Sequence, residues 1–584
     1  MVPRKTENKI PPFIKGGWGD YGEKDSKSTL ISILLLFFIA ALMLLRQLVS
    51  EGYFSCLIED TYNYTSWAWQ FTEALKEGIL YPRWLPLNFW GYGSPTFILY
   101  PPFAYYLVAF FNIFTGSIIT AMNITKFLAL FLSGTGMFYL VREFYPEKIA
   151  LLTASFYIVF PYTIFQFYLV GTFASVISFM WFAPIIMFTN RYMRDRQHMD
   201  LLYAGLCYGG LILTHIINAY MFTFVFTAFI TYMSIVKRKL KNLMSIPLII
   251  VIGILISSAY IVPVIFEKQF VTLKHLTGES VGYFYYLKSF ILPSSINTLS
   301  PDHLWRVYYN TYVSFVLFFC ILILLFLCQI IRIHHVKKFE DAKIVNIFFL
   351  GTAIGSLFLL FGISRFLWEM IPYFKYVQFP ARWLNITVFA TAFLSSVVFW
   401  VLSTIYKTKR GHKLYIVLFF LICLLLDYKY IHSAPLLTEQ RLMPVKAANL
   451  NFEHLPRWVS KEKISRDNLE ERVTIRGEGG VKIVEWKSAE RIFEITAQRL
   501  LTARIRTFYF PGWNAYVDDM HVAIRKEGGS GAMLVDIPRG NHRLVLQFED
   551  TPIRYYSKII SLISFFGIFL VALVSKRRED LSNQ

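Results

Sequence analysis

Apolar residues along this chain fall in long, nearly unbroken runs, among them Leu30 to Val49, Leu243 to Val264 and Tyr556 to Val574. Runs of about 18 to 22 residues are long enough to cross the hydrocarbon core of a bilayer as helices. Near the C-terminal end the pattern changes to alternation, in 472–476, 481–486, 491–496 and 543–548, which predicts strands with one buried face. Gly477, Gly479-Gly480, Pro511-Gly512, Gly528-Gly529 and Pro538-Arg539-Gly540 punctuate them, the turn chemistry of an antiparallel sandwich of roughly 110 residues. The expected fold class is a polytopic α-helical membrane protein of about 12 transmembrane helices with a C-terminal β-sandwich-like domain.

Composition agrees with lipid as the main solvent. Of 584 residues, 55% are hydrophobic and 16% charged, too little polar surface for a water-soluble chain of this size. The net charge of +20 sits in short tracts between apolar runs: Arg191/Arg194/Arg196, Lys237/Arg238/Lys239/Lys241, Arg332/Lys337/Lys338, Lys407/Lys409/Arg410/Lys413 and Lys576/Arg577/Arg578. That pattern reads as topology, not as nucleic-acid binding: basic loops stay in the cytoplasm and the larger polar segments face the other side. The expected organisation is a cytoplasmic tail (1–29) and a membrane domain (30–427) with a first outer segment at 50–97. An extracytoplasmic β-rich domain (428–555), a final membrane helix (556–575) and a second cytoplasmic tail (576–584) follow, in a multi-pass protein of the cytoplasmic membrane. Parity demands an odd number of crossings between Phe97 and Asn190, so the run after Pro101-Pro102 is expected to dip into the membrane or lie on it. Four of five cysteines (Cys207, Cys320, Cys328, Cys423) lie in apolar runs and only Cys56 lies outside, so no disulfide framework is expected.

The first outer segment sets Glu51, Glu59, Asp60, Glu73 and Glu77 among Trp67, Trp69, Trp84 and Trp90, a combination suited to a sugar or a lipid headgroup. A carboxylate of the Glu59-Asp60 pair, held at the membrane surface, can take a proton from a hydroxyl nucleophile; loop solubility and an interfacial aromatic belt account for the same residues. Tyr81-Pro82-Arg83-Trp84, Gly91-Tyr92-Gly93-Ser94-Pro95 and Tyr100-Pro101-Pro102 form a stiff Pro/Gly frame. Arg83 in it can grip a phosphate or merely snorkel to headgroups, and Trp84, Tyr92 and Tyr100 are candidate sugar or acceptor contacts. His215 and Asn218 are expected at the tip of a helical hairpin, either facing a cavity or packed within the hairpin. Arg382, in Gln378 to Trp383 where the chain re-enters the membrane, can neutralise a lipid phosphate, while Glu267, Glu279, Asp302 and His303 share only an outer position. No P-loop, dinucleotide fingerprint, Cys/His metal spacing or serine elbow is present. The residues imply no cofactor and leave a divalent-metal requirement open; chemistry is expected on the outer face, with a membrane-delivered donor.

Several ordered stretches carry a family likeness: Glu59-Asp60; Gly78 to Trp84 through Gly91–Pro95 to Tyr100-Pro101-Pro102; Leu213-Thr214-His215; Ala259 to Glu267; Gln378 to Arg382; and Pro511 to Asp518. In these the chain resembles the YfhO-like bacterial membrane proteins and their pyruvoyl-tetrahydropterin-synthase-related relatives, within the GT-C glycosyltransferase superfamily. The resemblance implies a lipid-linked sugar donor on polyprenyl phosphate, an extracytoplasmic glycan, lipid or protein acceptor, and an acid in the first outer segment as general base. Asp60, with Glu59 beside it, matches that position. By the same analogy Arg83, His215 and Arg382 hold the donor phosphate, since a fixed positive group is most effective on a leaving anion in a low-dielectric site. The relatives carry Arg-Gly and then a glutamate where this chain has Val170-Gly171-Thr172-Phe173-Ala174-Ser175. No histidine cluster supports pterin-synthase chemistry. The expected activity is sugar transfer to a cell-envelope acceptor; a transporter or flippase of a lipid-linked glycan and a non-enzymatic scaffold of polysaccharide assembly are the alternatives.

Overall fold

The computed structural model describes residues 23–55, 58–170, 172–272, 340–405, 411–438, 454–464 and 471–582. Among them nine helices are long and apolar enough to cross a membrane, and a bent pair, Leu240–Ile256 and Ser258–Phe270, makes a tenth candidate. The expected count of twelve is not reached within these residues. Glu279, Asp302 and His303 lie outside them, as do Cys56 and most of the basic tracts at 332–338 and 407–413.

Helix α1 (Glu23–Met43) leads through strand β1 (Gly52–Phe54) to α2 (Ile58–Lys76). Residues 58–76 of the first outer segment are thus helical. Apolar residues Trp67, Phe71 and Ala74 are buried while Glu73, Lys76 and Glu77 are not, the spacing of three and four that makes an amphipathic helix. Next comes α3 (Phe103–Thr115), whose 13 residues extend only about 20 Å, too short to cross. Gly116, at φ +66°, ends it in the left-handed conformation and Ser117 caps α4 (Ile118–Arg142) by accepting the Thr120 N–H. Further on, α5 (His198–Thr214) and α6 (Ile216–Val236) form the hairpin, α7 (Ser258–Glu267) follows the 87° bend, and α8 (Leu384–Ile405) begins just after Arg382. The last helix, α9 (Pro552–Ser582), is nearly bare: only 11% of its apolar stretch is buried, as expected of a span in contact with lipid.

Strand β1 pairs antiparallel with β2 (Leu436–Thr438). Nine further strands build two antiparallel sheets. One runs β3 (Val473–Arg476), β6 (Leu501–Phe508), β10 (Ala532–Ile537), β9 (Arg525–Lys526); the other runs β4 (Gly479–Trp486), β5 (Glu490–Ala497), β11 (Gly540–Phe548), β7 (Trp513–Val517), β8 (Met520–Val522). Phe493, Ile495, Ala503, Ile505, Val535 and Leu544 are buried and belong to one apolar core.

That core also takes in Trp84, Phe89, Tyr92 and Ile98 from the segment after α2. The Phe508 N–H donates to the Tyr92 carbonyl at 2.8 Å and Arg506 Nε to the Trp90 carbonyl at 3.0 Å. Tyr92 stacks on Phe508 at 4.8 Å, and Trp84 meets Trp513 edge-on at 5.5 Å. The segment is fixed from below as well, since Gln70 of α2 donates to Asn88, which donates to Ser94. Gly93 lets the two layers close: its φ is +78°, and a Cβ there would stand 2.4 Å from Trp84 Nε1. Gly93→Ala is expected to cost about 2 kcal/mol through backbone strain and overpacking, read as a lowered thermal midpoint and earlier proteolysis of the β domain. An unchanged midpoint would show that Trp84 can swing away.

Candidate functional site

Asp60 stands in the first turn of α2, where the positive end of the helix dipole favours a carboxylate; Glu59 precedes it in the same turn. One face of α2 then presents Tyr64 and Trp67, one and two turns on. The Trp67 ring lies 6.0 Å from Tyr64 and 5.0 Å from Tyr100, and Tyr105, in the first turn of α3, is 6.0 Å from Tyr100. Burial, and then the Asp60 charge, pushes the Tyr64 and Tyr100 phenols well above their usual range. Both keep their protons.

Arg382 reaches the same tyrosines from the turn that leads into α8, and its charge opposes that of Asp60 on Tyr64 and Tyr100. Its Nη1 donates to the Val377 carbonyl at 2.9 Å. His215 is the joint between α5 and α6, with φ −156° and ψ 103°. Its Nδ1 accepts the Asn218 N–H at 3.1 Å, which leaves the proton of the neutral ring on Nε2. Burial, and then the Arg382 guanidinium, push the imidazole pKa down, so the neutral form prevails. Asn218 donates to Ser178 Oγ at 2.7 Å and accepts from Asn385 at 3.4 Å; Asn385 in turn accepts from Tyr162, and Tyr162 from Gln166. This chain of side-chain amides and hydroxyls holds the hairpin tip against the start of α8.

Asp60 and Arg382 thus act on the same two tyrosines, and Arg382 also acts on His215, although these groups come from separate stretches of sequence. Arg83 does not join them: it stacks on Tyr81 at 3.9 Å and donates to the Ala259 carbonyl at 3.0 Å. Trp84 and Tyr92 are also elsewhere, 2% and 1% exposed in the seam with the β domain. Their surface is spent on protein packing, which differs from the sugar contact expected of them.

Four further residues line the neighbourhood without a sequence signal that singled them out. Tyr64 belongs to a helix whose acids obscured its periodicity, and Tyr105 is one of many aromatics in the apolar run after Pro101-Pro102. His454 is buried 5.5 Å from the Trp67 ring. Lys126, in α4, is 0% exposed, lies 3.7 Å over the Tyr53 ring and donates to the Phe167 carbonyl at 3.0 Å. Tyr53 in turn lies within electrostatic reach of Tyr100. A lysine buried at membrane depth is rare enough to be a functional hypothesis by itself. Among the described residues no group of three or more His, Cys, Asp or Glu is arranged to hold a metal.

The fold defines a polytopic helical membrane protein with a β-sandwich docked on its first inter-helix segment. The chain belongs to the membrane-protein family described as the 6-pyruvoyl-tetrahydropterin synthase related domain, whose model matches residues 97–432. No curated protein sequence matches it. It is similar to the Archaeoglobus fulgidus oligosaccharyltransferase in its apo form, with 14% identity and a TM-score of 0.44 over 70% of this chain and 57% of that one. The same archaeal enzyme, AglB, in complex with an inhibitory peptide and a dolichol-phosphate, aligns with 14% identity and a TM-score of 0.38 over 72% and 57%. ArnT from Cupriavidus metallidurans, bound to undecaprenyl phosphate, aligns with 10% identity and a TM-score of 0.31 over 66% and 81%. The chain thus spans little more than half the length of the archaeal enzyme.

Proposed function

We propose that this protein is a GT-C-type glycosyltransferase of the cytoplasmic membrane, moving a sugar from a polyprenyl-phosphate donor to an extracytoplasmic cell-envelope acceptor. What supports the reading is that Asp60 and Arg382 act on the same pair of tyrosines and Arg382 acts on His215, which offers a carboxylate for the nucleophile and a guanidinium with an imidazole N–H for the departing phosphate. The acceptor hydroxyl gives its proton to Asp60 as its oxygen attacks the anomeric carbon. The carbon–oxygen bond to the phosphate breaks, and the phosphate leaves as an anion stabilised by Arg382, with His215 Nε2–H as a second donor. Tyr64 and Tyr100 are positioned to orient the sugar. Direct displacement inverts the anomeric configuration.

Both termini are cytoplasmic in this reading, the site opens on the outer face, and the β domain, fixed to the segment after α2, presents the acceptor. The test is transfer of radiolabelled sugar from a panel of polyprenyl-phosphate donors by the full chain in reconstituted membranes. Label in an acceptor with inverted configuration supports the proposal; retained configuration would overturn the direct-displacement mechanism, and no transfer across the panel would favour a scaffold or transporter. Arg382→Gln is expected to lower transfer about a hundredfold, with Arg382→Lys between it and the native chain. Equal rates in all three would remove Arg382 from the site.

A further inference from the structure

A cavity of about 250 Å³ opens where residues 79–84, the β domain and the head of α9 meet. Tyr81, Trp84 and Phe548 form its aromatic walls, and Arg83 and Lys558 are its cations. It is distinct from the Asp60 cluster: Tyr260 of α7 stands between them, within electrostatic reach of Tyr81 on one side and Tyr100 on the other.

The charge balance around this cavity is incomplete. Arg83 is only 3% exposed, yet among the described residues its Nη1 and Nε have no hydrogen-bond partner, and Nη2 alone is satisfied, by the Ala259 carbonyl. The nearest acid, Asp550, stands 3.5 Å from Nε and is paired with Lys558 as well. Beside them Arg554 and Glu267 neutralise each other. Among the described residues, Arg83, Lys558 and Arg554 thus face Asp550 and Glu267 alone. The other acid of the lining, Glu549, directs its carboxylate to Asn514 and Tyr516 on an exposed face. A buried guanidinium with open donors is costly unless an anion completes it.

We propose that this cavity binds the phosphate of a membrane phospholipid headgroup, with Arg83 Nη1 and Lys558 Nζ donating to its oxygens. The position favours a lipid source. Lys558 lies in the second turn of α9, directly ahead of the exposed apolar residues Leu562, Ile563 and Phe566 along which acyl chains can run. Tyr555 and Tyr556 are exposed beside it, as aromatics at a membrane interface are, and Leu80, 86% exposed, stands at the mouth. The aromatic walls suit the glycerol backbone, and the excess of one positive charge matches a monoanionic phosphodiester.

The test is native mass spectrometry of the detergent-purified full chain, titrated separately with phosphatidylglycerol and with inorganic phosphate. One phosphatidylglycerol per chain is expected, with affinity falling about tenfold in Arg83→Gln and severalfold in Lys558→Gln. Arg83→Lys, which keeps the charge but not the fork, should fall between with a native-like thermal midpoint, separating ligand loss from misfolding. Arg83-dependent binding of inorganic phosphate without lipid would keep the phosphate site and assign it a water-borne ligand. Binding of neither, or equal binding by the native chain and all three variants, would overturn the proposal. The outcome does not depend on whether sugar transfer is observed.

Discussion

Asp60→Asn is expected to reduce sugar transfer by about a thousandfold, while Glu59→Gln costs less than about tenfold. Asparagine keeps the size of the side chain, but it cannot accept a proton from the acceptor hydroxyl. The loss should therefore fall on turnover rather than on donor affinity, since Arg382 and His215, the proposed phosphate partners, are unchanged. Single-turnover transfer and donor-lipid binding, measured on the same preparation, separate the two. A variant with native turnover would remove Asp60 from the role of base, and collapse only in Glu59→Gln would transfer that role one residue back. Tyr100→Phe, which removes a donor but no proton acceptor, should cost far less than Asp60→Asn.

Glu267→Gln is expected to destabilise the junction between the membrane helices and the β domain by about 3–5 kcal/mol, because it leaves the Arg554 charge buried and unpaired. The two side chains are 3% and 0% exposed and 2.8 Å apart. Arg554 also donates through Nη2 to the Pro511 carbonyl at 2.7 Å, and Glu267 accepts from Thr551 at 3.0 Å. One ion pair thus ties the end of α7, the Pro511-Gly512 turn and the entry of α9. The double change Glu267→Leu with Arg554→Met should recover much of the loss, since a packed apolar pair avoids desolvating two charges. Thermal unfolding in detergent, with limited proteolysis to report undocking of the β domain, distinguishes these outcomes. A single variant as stable as the native chain would mean that water reaches Arg554.

The separation into membrane helices and a C-terminal β domain was legible in the sequence because both depend on local periodicity. β4, β5 and β11 alternate and were expected at nearly their observed positions. β10 was not, because its burial pattern has four consecutive buried residues, which removes the period-two signal. β6 was obscured by Arg504 and Arg506, whose charges meet Glu527 and the Trp90 carbonyl rather than bulk water. In α2, acids concentrated at the ends concealed an amphipathic helix whose middle packs against Tyr100 and Phe97.

The site divides in the same way. Residue type and position near a membrane boundary suggested Asp60, His215 and Arg382, and the structure brings these together. The same cues suggested Arg83, Trp84 and Tyr92 with equal force, but an aromatic or an arginine at an interface looks identical in sequence whether it faces a substrate or another layer of protein. Only docking of the β domain onto residues 84–98 decided that. Hydrophobic periodicity is set by each residue's near neighbours and determined the class of the protein; the convergence of groups more than a hundred positions apart is set by how helices pack, which no local pattern encodes.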